Sequence, residues 1–165
     1  MEKNVKMLFY GYGNSHKQDE GIGIACAQCL DHWVKTENIQ LSVQVANNSH
    51  LNVEDVELLM DKDIVVFIDS SKENISDFYL SKVVPTTSEA VSPGLLMEMC
   101  RKMYNRQPLA FILHIKGYKW NDEQPVTQKA NSNLCKALDF LKEKIQHPDV
   151  LIHAKEAYCS IDLNK

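Results

Sequence analysis

Residues 63–69 read DIVVFID, five apolar side chains in an unbroken row between two acids. A strand with one wet face would alternate. A short, continuous run of β-branched and aromatic residues suits a strand buried on both faces of a parallel sheet. LAFILHI at 109–115 repeats the pattern. Outward from these two runs, Lys6–Tyr10 and Leu41–Ala46 read as further strands, the latter alternating through SVQVA. DFYLSKVV at 77–84 is a weaker strand, suited to an edge. Helical periods fill the intervals. Ile22–Val34 is one helix. Val53–Met60 is a second, with Asn52 as cap and Asp55 at the third helical position. A third is capped by Ser92 with Pro93 in the first turn, where a missing N–H costs little; Leu95, Leu96, Met99 and Met103 follow along it. The last spans Val126–Ile145, with Ala130, Leu134, Ala137, Leu138, Leu141 and Ile145 on one face. Strands alternating with helices define an α/β three-layer sandwich.

Bulk composition narrows the function. The chain has 165 residues, 44% hydrophobic and 24% charged, as expected for one globular domain spanning 1–165. A net charge of −4 supplies no basic stripe for nucleic acid. No apolar run approaches the ~20 residues of a membrane helix, and MEKNVKMLFYGYG lacks the pattern of a signal peptide, so the expected location is cytoplasmic. Cys26, Cys29, Cys100, Cys135 and Cys159 are odd in number and lack framework spacing, which fits reduced thiols. Cys26 and Cys29 form a CxxC inside a helix rather than at its start, with no second Cys/His pair at zinc spacing. They are expected to be two small buried thiols.

The loop after the first strand is the most unusual segment. FYGYGNSHKQDEGIG, residues 9–23, offers Gly11 and Gly13 for a dinucleotide turn, but His16 stands where the third glycine must be. No Walker lysine follows, and two acids before a helix would repel phosphate. Asp19 is expected to stabilise the N-terminus of the helix that follows. Glu20 invites a different role. It follows the first strand, Asp69 ends the third, and ligands of doubly wound sheets gather beyond the carboxyl ends of parallel strands. If those strands are neighbours, two carboxylates meet in one crevice, able to hold a cation or a proton.

These residues resemble the hydrogenase maturation proteases, endopeptidases that trim a C-terminal extension from the large subunit of nickel–iron hydrogenases. That family opens with a strand and a G-x-G-N-x-x-x-x-D-[DE]-G-x-G loop; Gly11, Gly13, Asn14, Asp19, Glu20, Gly21 and Gly23 stand in register with it. LNVEDVELLMDKDIVVFIDSS (51–71) is similar to its acid-rich helix and following strand, VSPGLLMEMCRKMY (91–104) to its Ser-Pro-capped helix, and LHIKGYKW to its strand and glycine turn. The resemblance covers about 5–145 and leaves 146–165 as a C-terminal tail, whose VLIHA patch is read either as an extra strand or as loose chain. It implies a twisted, mostly parallel mixed sheet of about five strands with helices on both faces. It also implies a metal-recognition site of one loop acid, one strand-end Asp and one His that senses nickel already carried by the substrate. Carried over, the acids are Glu20 and Asp69, with Asp69 also the candidate catalytic base.

One departure stands out. The family's H-x-x-S-P becomes TSEAVSP, placing Glu89 where the His belongs. An oxygen–nitrogen donor set suits nickel, zinc or copper, whereas three carboxylates suit calcium, magnesium or manganese. Glu89 therefore either completes a site of altered preference or is a solvated loop acid. The function implied is that of an endopeptidase acting on a hydrogenase large-subunit precursor. It would use substrate-borne nickel or another divalent cation and work as a monomer. The exchange at Glu89 keeps open a non-catalytic maturation chaperone or sensor on the same scaffold. A stand-alone metal-dependent peptidase or amidohydrolase is a third possibility. His114 and Cys100 could join a nucleophilic triad on paper, but their spacing favours core packing.

Overall fold

A computed structural model describes residues 4–157 and 160–161. In chain order the elements are β1 (Met7–Tyr12), α1 (Ile22–Thr36), β2 (Val43–Asn48), α2 (Val56–Leu59), β3 (Ile64–Ser71), β4 (Phe78–Lys82), α3 (Pro93–Tyr104), β5 (Leu109–Lys116), α4 (Gln128–Gln146), α5 (Asp149–Ala157) and β6 (Ser160–Ile161). They build one sheet in the order β2-β1-β3-β5-β4-β6. The first four are mutually parallel, whereas β4 runs antiparallel to β5 and to the two-residue β6. The α/β sandwich and the mixed sheet are as the sequence implied, with β6 as a small addition beyond β4.

Alternate residues of each strand feed two cores. Phe9, Val66, Ile68, Phe111 and Leu113 pack beneath α1 and α4. Leu8, Tyr10, Val65, Phe67 and Ala110 pack against α2 and α3. Both runs that read as fully buried strands therefore lie centrally, side by side. The predicted caps are present: Ser92 accepts from the Leu95 N–H at 3.1 Å, and the Asp55 carboxylate accepts from the Asn52 N–H at 2.8 Å.

Two expectations need correction. VLIHA is neither strand nor loose chain but part of α5, where Leu151 is buried in the α1/α4 core. Pro148 and Asp149 are helix-start residues, and the Pro148 carbonyl accepts from the Leu151 and Ile152 N–H groups. Of the CxxC pair, Cys26 is buried in the core beneath α1 but Cys29 is exposed. Cys100 and Cys135 are likewise free thiols, while Cys159 lies outside the described residues. No helix among the described residues is long and apolar enough to cross a membrane.

The chain order creates a crevice. From β1 the chain goes to β2 on one side, then returns past β1 to β3 on the other, with α1 on one face of the sheet and α2 on the opposite face. The strand order thus reverses between β1 and β3, the topological switch point where ligands of open α/β sheets bind.

Candidate active site

Glu20 and Asp69 lie at the rim of this switch point, near enough for the charge of Glu20 to bear on the Asp69 carboxyl. β1 and β3 are hydrogen-bonded neighbours, with Gly11 opposite Ile68, so the loop leaving β1 and the last turns of β3 share one rim. Two glycines make the approach possible. Gly13 has φ +139°, and a Cβ there would lie 2.1 Å from the Glu20 carbonyl. A Cβ on Gly23 would lie 2.4 Å from the Ile68 carbonyl, so α1 can begin hard against the end of β3 only with glycine in that place.

Asp69 is partly buried, and burial pushes its carboxyl pKa up. Hydrogen bonds from the Ser70 N–H, 2.8 Å from Oδ1, and from the Tyr12 hydroxyl oppose that rise, while the nearby charge of Glu20 adds to it. The carboxyl is thus oriented by two donors yet holds its proton more tightly than an ordinary aspartate. A strand-end acid of this kind can exchange a proton or share a cation with Glu20. Tyr12 was not anticipated. It follows Gly11 on β1, which stands opposite Ile68, and so shares the sheet face of Asp69, a placement that strand register and not the sequence alone provides. Burial and the adjoining carboxylate push its phenol far above the usual range, leaving it a fixed hydrogen-bond donor.

Asp19 plays a part that its place in the sequence concealed. It does not cap α1, whose N-cap is Gly21 and whose first turn holds no acid. It is fully buried and accepts from the N–H groups of Tyr118 (2.8 Å), Lys119 (3.1 Å) and Thr127 (2.7 Å) and from the Thr127 hydroxyl (2.8 Å). Burial alone would raise its pKa, but the donors of Thr127, Tyr118 and Lys119 together hold it below the usual carboxylate value. Gln18 Oε1 accepts from Asn121, and the Glu123 N–H donates to the His16 carbonyl. The loop carrying Glu20 is therefore tied to the segment between β5 and α4.

Glu89 is exposed in the segment between β4 and α3. Among the described residues no three His, Cys, Asp or Glu side chains are grouped so as to hold a metal ion, so Glu89 does not close the acid pair into a three-ligand cage in this structure. His114 does come alongside. It is the β5 partner of Asp69 in the register and stands on the same face. Its ring is committed to β4, however: it stacks on Tyr79 at 4.3 Å between centroids and 8° between planes, and its Nε2 lies 2.8 Å from the Ser81 hydroxyl. Burial lowers its pKa, which favours the neutral ring. Cys100 is buried on α3, and His50 lies exposed beside Ser49.

Neither any protein-family model nor any curated protein matches the chain by sequence. Solved structures match by fold. The NiFe hydrogenase maturation protease HycI from Thermococcus kodakarensis superposes with a TM-score of 0.70 at 17% identity, covering 88% of this chain and 95% of that one. The hydrogenase maturating endopeptidase HybD from E. coli gives 0.69 at 15% identity, covering 87% and 94%. A further endopeptidase from Escherichia coli gives 0.64 at 15% identity, covering 95% and 97%. The chain therefore has the fold of the family that its glycine-rich loop resembles, along nearly its whole length.

Proposed function

We propose that this protein is an endopeptidase that removes the C-terminal extension of a nickel–iron hydrogenase large-subunit precursor after nickel insertion. The observation that carries the proposal is the pair of carboxylates at the β1/β3 switch point of a fold shared with hydrogenase maturation proteases. The nickel belongs to the substrate. Glu20 and Asp69 would grip it there, so that only a loaded precursor is held in place, and an ion so held can polarise a peptide carbonyl or a water. Asp69, oriented by Tyr12 and Ser70 and shifted toward higher pKa, is the group best prepared to take up a proton from that water. The four cysteines among the described residues are free thiols, which supports a reducing, cytoplasmic setting.

A non-catalytic maturation sensor on the same scaffold is favoured by one feature: among the described residues, the acid pair has no third ligand grouped with it. A cleavage assay separates the two. The protein is mixed with nickel-loaded and nickel-free precursor, and the tail is followed by mass spectrometry. Loss of the tail from the loaded form alone, abolished by Asp69→Asn and Glu20→Gln, is the expected outcome; an intact tail on verified loaded precursor favours the sensor.

A further inference from the structure

The segment between β5 and α4 presents a surface that the acid pair does not use. It leaves β5 at Gly117, whose N–H donates to the Ser71 carbonyl at the end of β3, and Asp19 holds it from below. Fixed in this way, it shows two aromatic rings beside the crevice. Tyr118 is 38% exposed and Trp120 partly so, the latter lying over Gly117. Each ring carries cations. The Lys72 ammonium sits 4.8 Å from the Trp120 ring centroid, and those of Lys116 and Lys129 each sit 5.5 Å from that of Tyr118. Lys72 directly follows β3, whose last residues include Asp69, so this wall stands at the same carboxyl edge of the sheet as the acid pair.

The charge is unbalanced where it matters. Among the described residues none of these three lysines has a carboxylate within ion-pair distance, although Lys116 also donates to the Ile75 carbonyl. Three neighbouring acids are turned elsewhere: Asp77 to Lys136 at 2.6 Å, Glu123 to His16 at 3.4 Å, and Glu73 to the Tyr79 hydroxyl at 3.4 Å; Asp122, two residues after Trp120, is exposed. An ammonium resting on a ring has its far side open to an anion. The same edge of the sheet thus carries an acid pair and a positive, aromatic wall, and a surface of that kind orients an incoming chain of opposite charge.

We propose that this wall docks an acidic segment of the processed polypeptide in which an apolar side chain lies between carboxylates. The apolar side chain rests on Trp120 and Tyr118, and the carboxylates pair with Lys72 and Lys129. Naming the partner as the processed polypeptide rests on the endopeptidase assignment; the chemistry of the surface does not.

The test uses the whole protein and two labelled synthetic peptides, one with leucine between glutamates and one with leucine between lysines, compared by fluorescence anisotropy. The glutamate peptide is expected to bind at least about tenfold more tightly at low ionic strength, with the gap closing as salt is added. Lys72→Gln and Lys129→Gln should each weaken it about two- to fivefold. Trp120→Ala should cost about tenfold. Because Trp120 also packs on Gly117, the two exposed lysines carry the decision. Equal affinity for both peptides, or an unchanged affinity in the double lysine variant, overturns the proposal. Precursor cleavage without peptide discrimination removes the docking wall alone; peptide discrimination without cleavage by the wild type removes the endopeptidase assignment alone.

Discussion

Asp19 and Asp69 stand at the same rim of one sheet, and their surroundings drive them in opposite directions. Asp19 is wholly enclosed yet meets four donors, so its charge is more comfortable inside the protein than in water. Asp69 is less enclosed but, among the described residues, meets only the Ser70 N–H and the Tyr12 hydroxyl, with the charge of Glu20 acting on it, so its own charge is held at a cost. The contrast separates an acid that ties two loops together from one whose charge is only partly satisfied. Saturating a carboxylate with hydrogen bonds removes its reactivity; leaving it partly satisfied beside a like charge keeps a proton or cation exchangeable.

The largest effect should come from deleting the acid that ties the loops. Asp19→Ala leaves three N–H groups and a hydroxyl without their acceptor in a buried place, and is expected to cost about 3–5 kcal/mol in urea unfolding. Asp69→Asn should abolish tail cleavage while leaving stability unchanged or raising it by about 1 kcal/mol, because it removes a poorly satisfied buried charge. If both substitutions destabilise equally, the contrast between the two acids is broken.

The pH dependence sharpens the contrast, because the signs differ. The folded pKa of Asp19 is depressed, so its stabilisation is present above the ordinary carboxylate pKa and is lost as pH falls through the lower folded value. For Asp69 the folded pKa is raised, so stability declines as pH climbs from the ordinary value through the higher folded one. Urea midpoints measured across the acid range should flatten at the low end in Asp19→Asn and over the higher window in Asp69→Asn. Tyr12→Phe removes one donor from Asp69 and should cost about 1 kcal/mol. Glu89→Gln, exposed and outside the acid pair, should change stability by less than about 0.5 kcal/mol. If it also spares cleavage, Glu89 is a solvated loop acid; if cleavage is lost, the loop brings it to the substrate's metal.

The elements themselves were legible because each follows from local chemistry. Five apolar residues in a row between Asp63 and Asp69, the Ser92-Pro93 start and the Asn52–Asp55 pair act within a turn or a strand. Glu20 and Asp69 could be singled out because one lies in the loop that follows the first strand and the other at the end of the third, on the side where sheets of this type bind. The tail was misread because VLIHA is too short for periodicity to tell helix from strand, and only Leu151 seated in the α1/α4 core decides it. Asp19 was misread because its donors lie about a hundred residues away, and no local pattern marks a carboxylate for distant N–H groups.

By itself, then, the amino-acid sequence determined the layers, the central strands and which acids end beside a strand, since burial pattern and turn chemistry are short-range properties. Only the tertiary structure decided which of those acids is saturated with donors and which is left partly satisfied, and that His114 turns its ring to β4 while Lys72 and Trp120 come together. Electrostatic environment is the sum of everything that the fold brings near, and neighbours in space here are seldom neighbours in the chain.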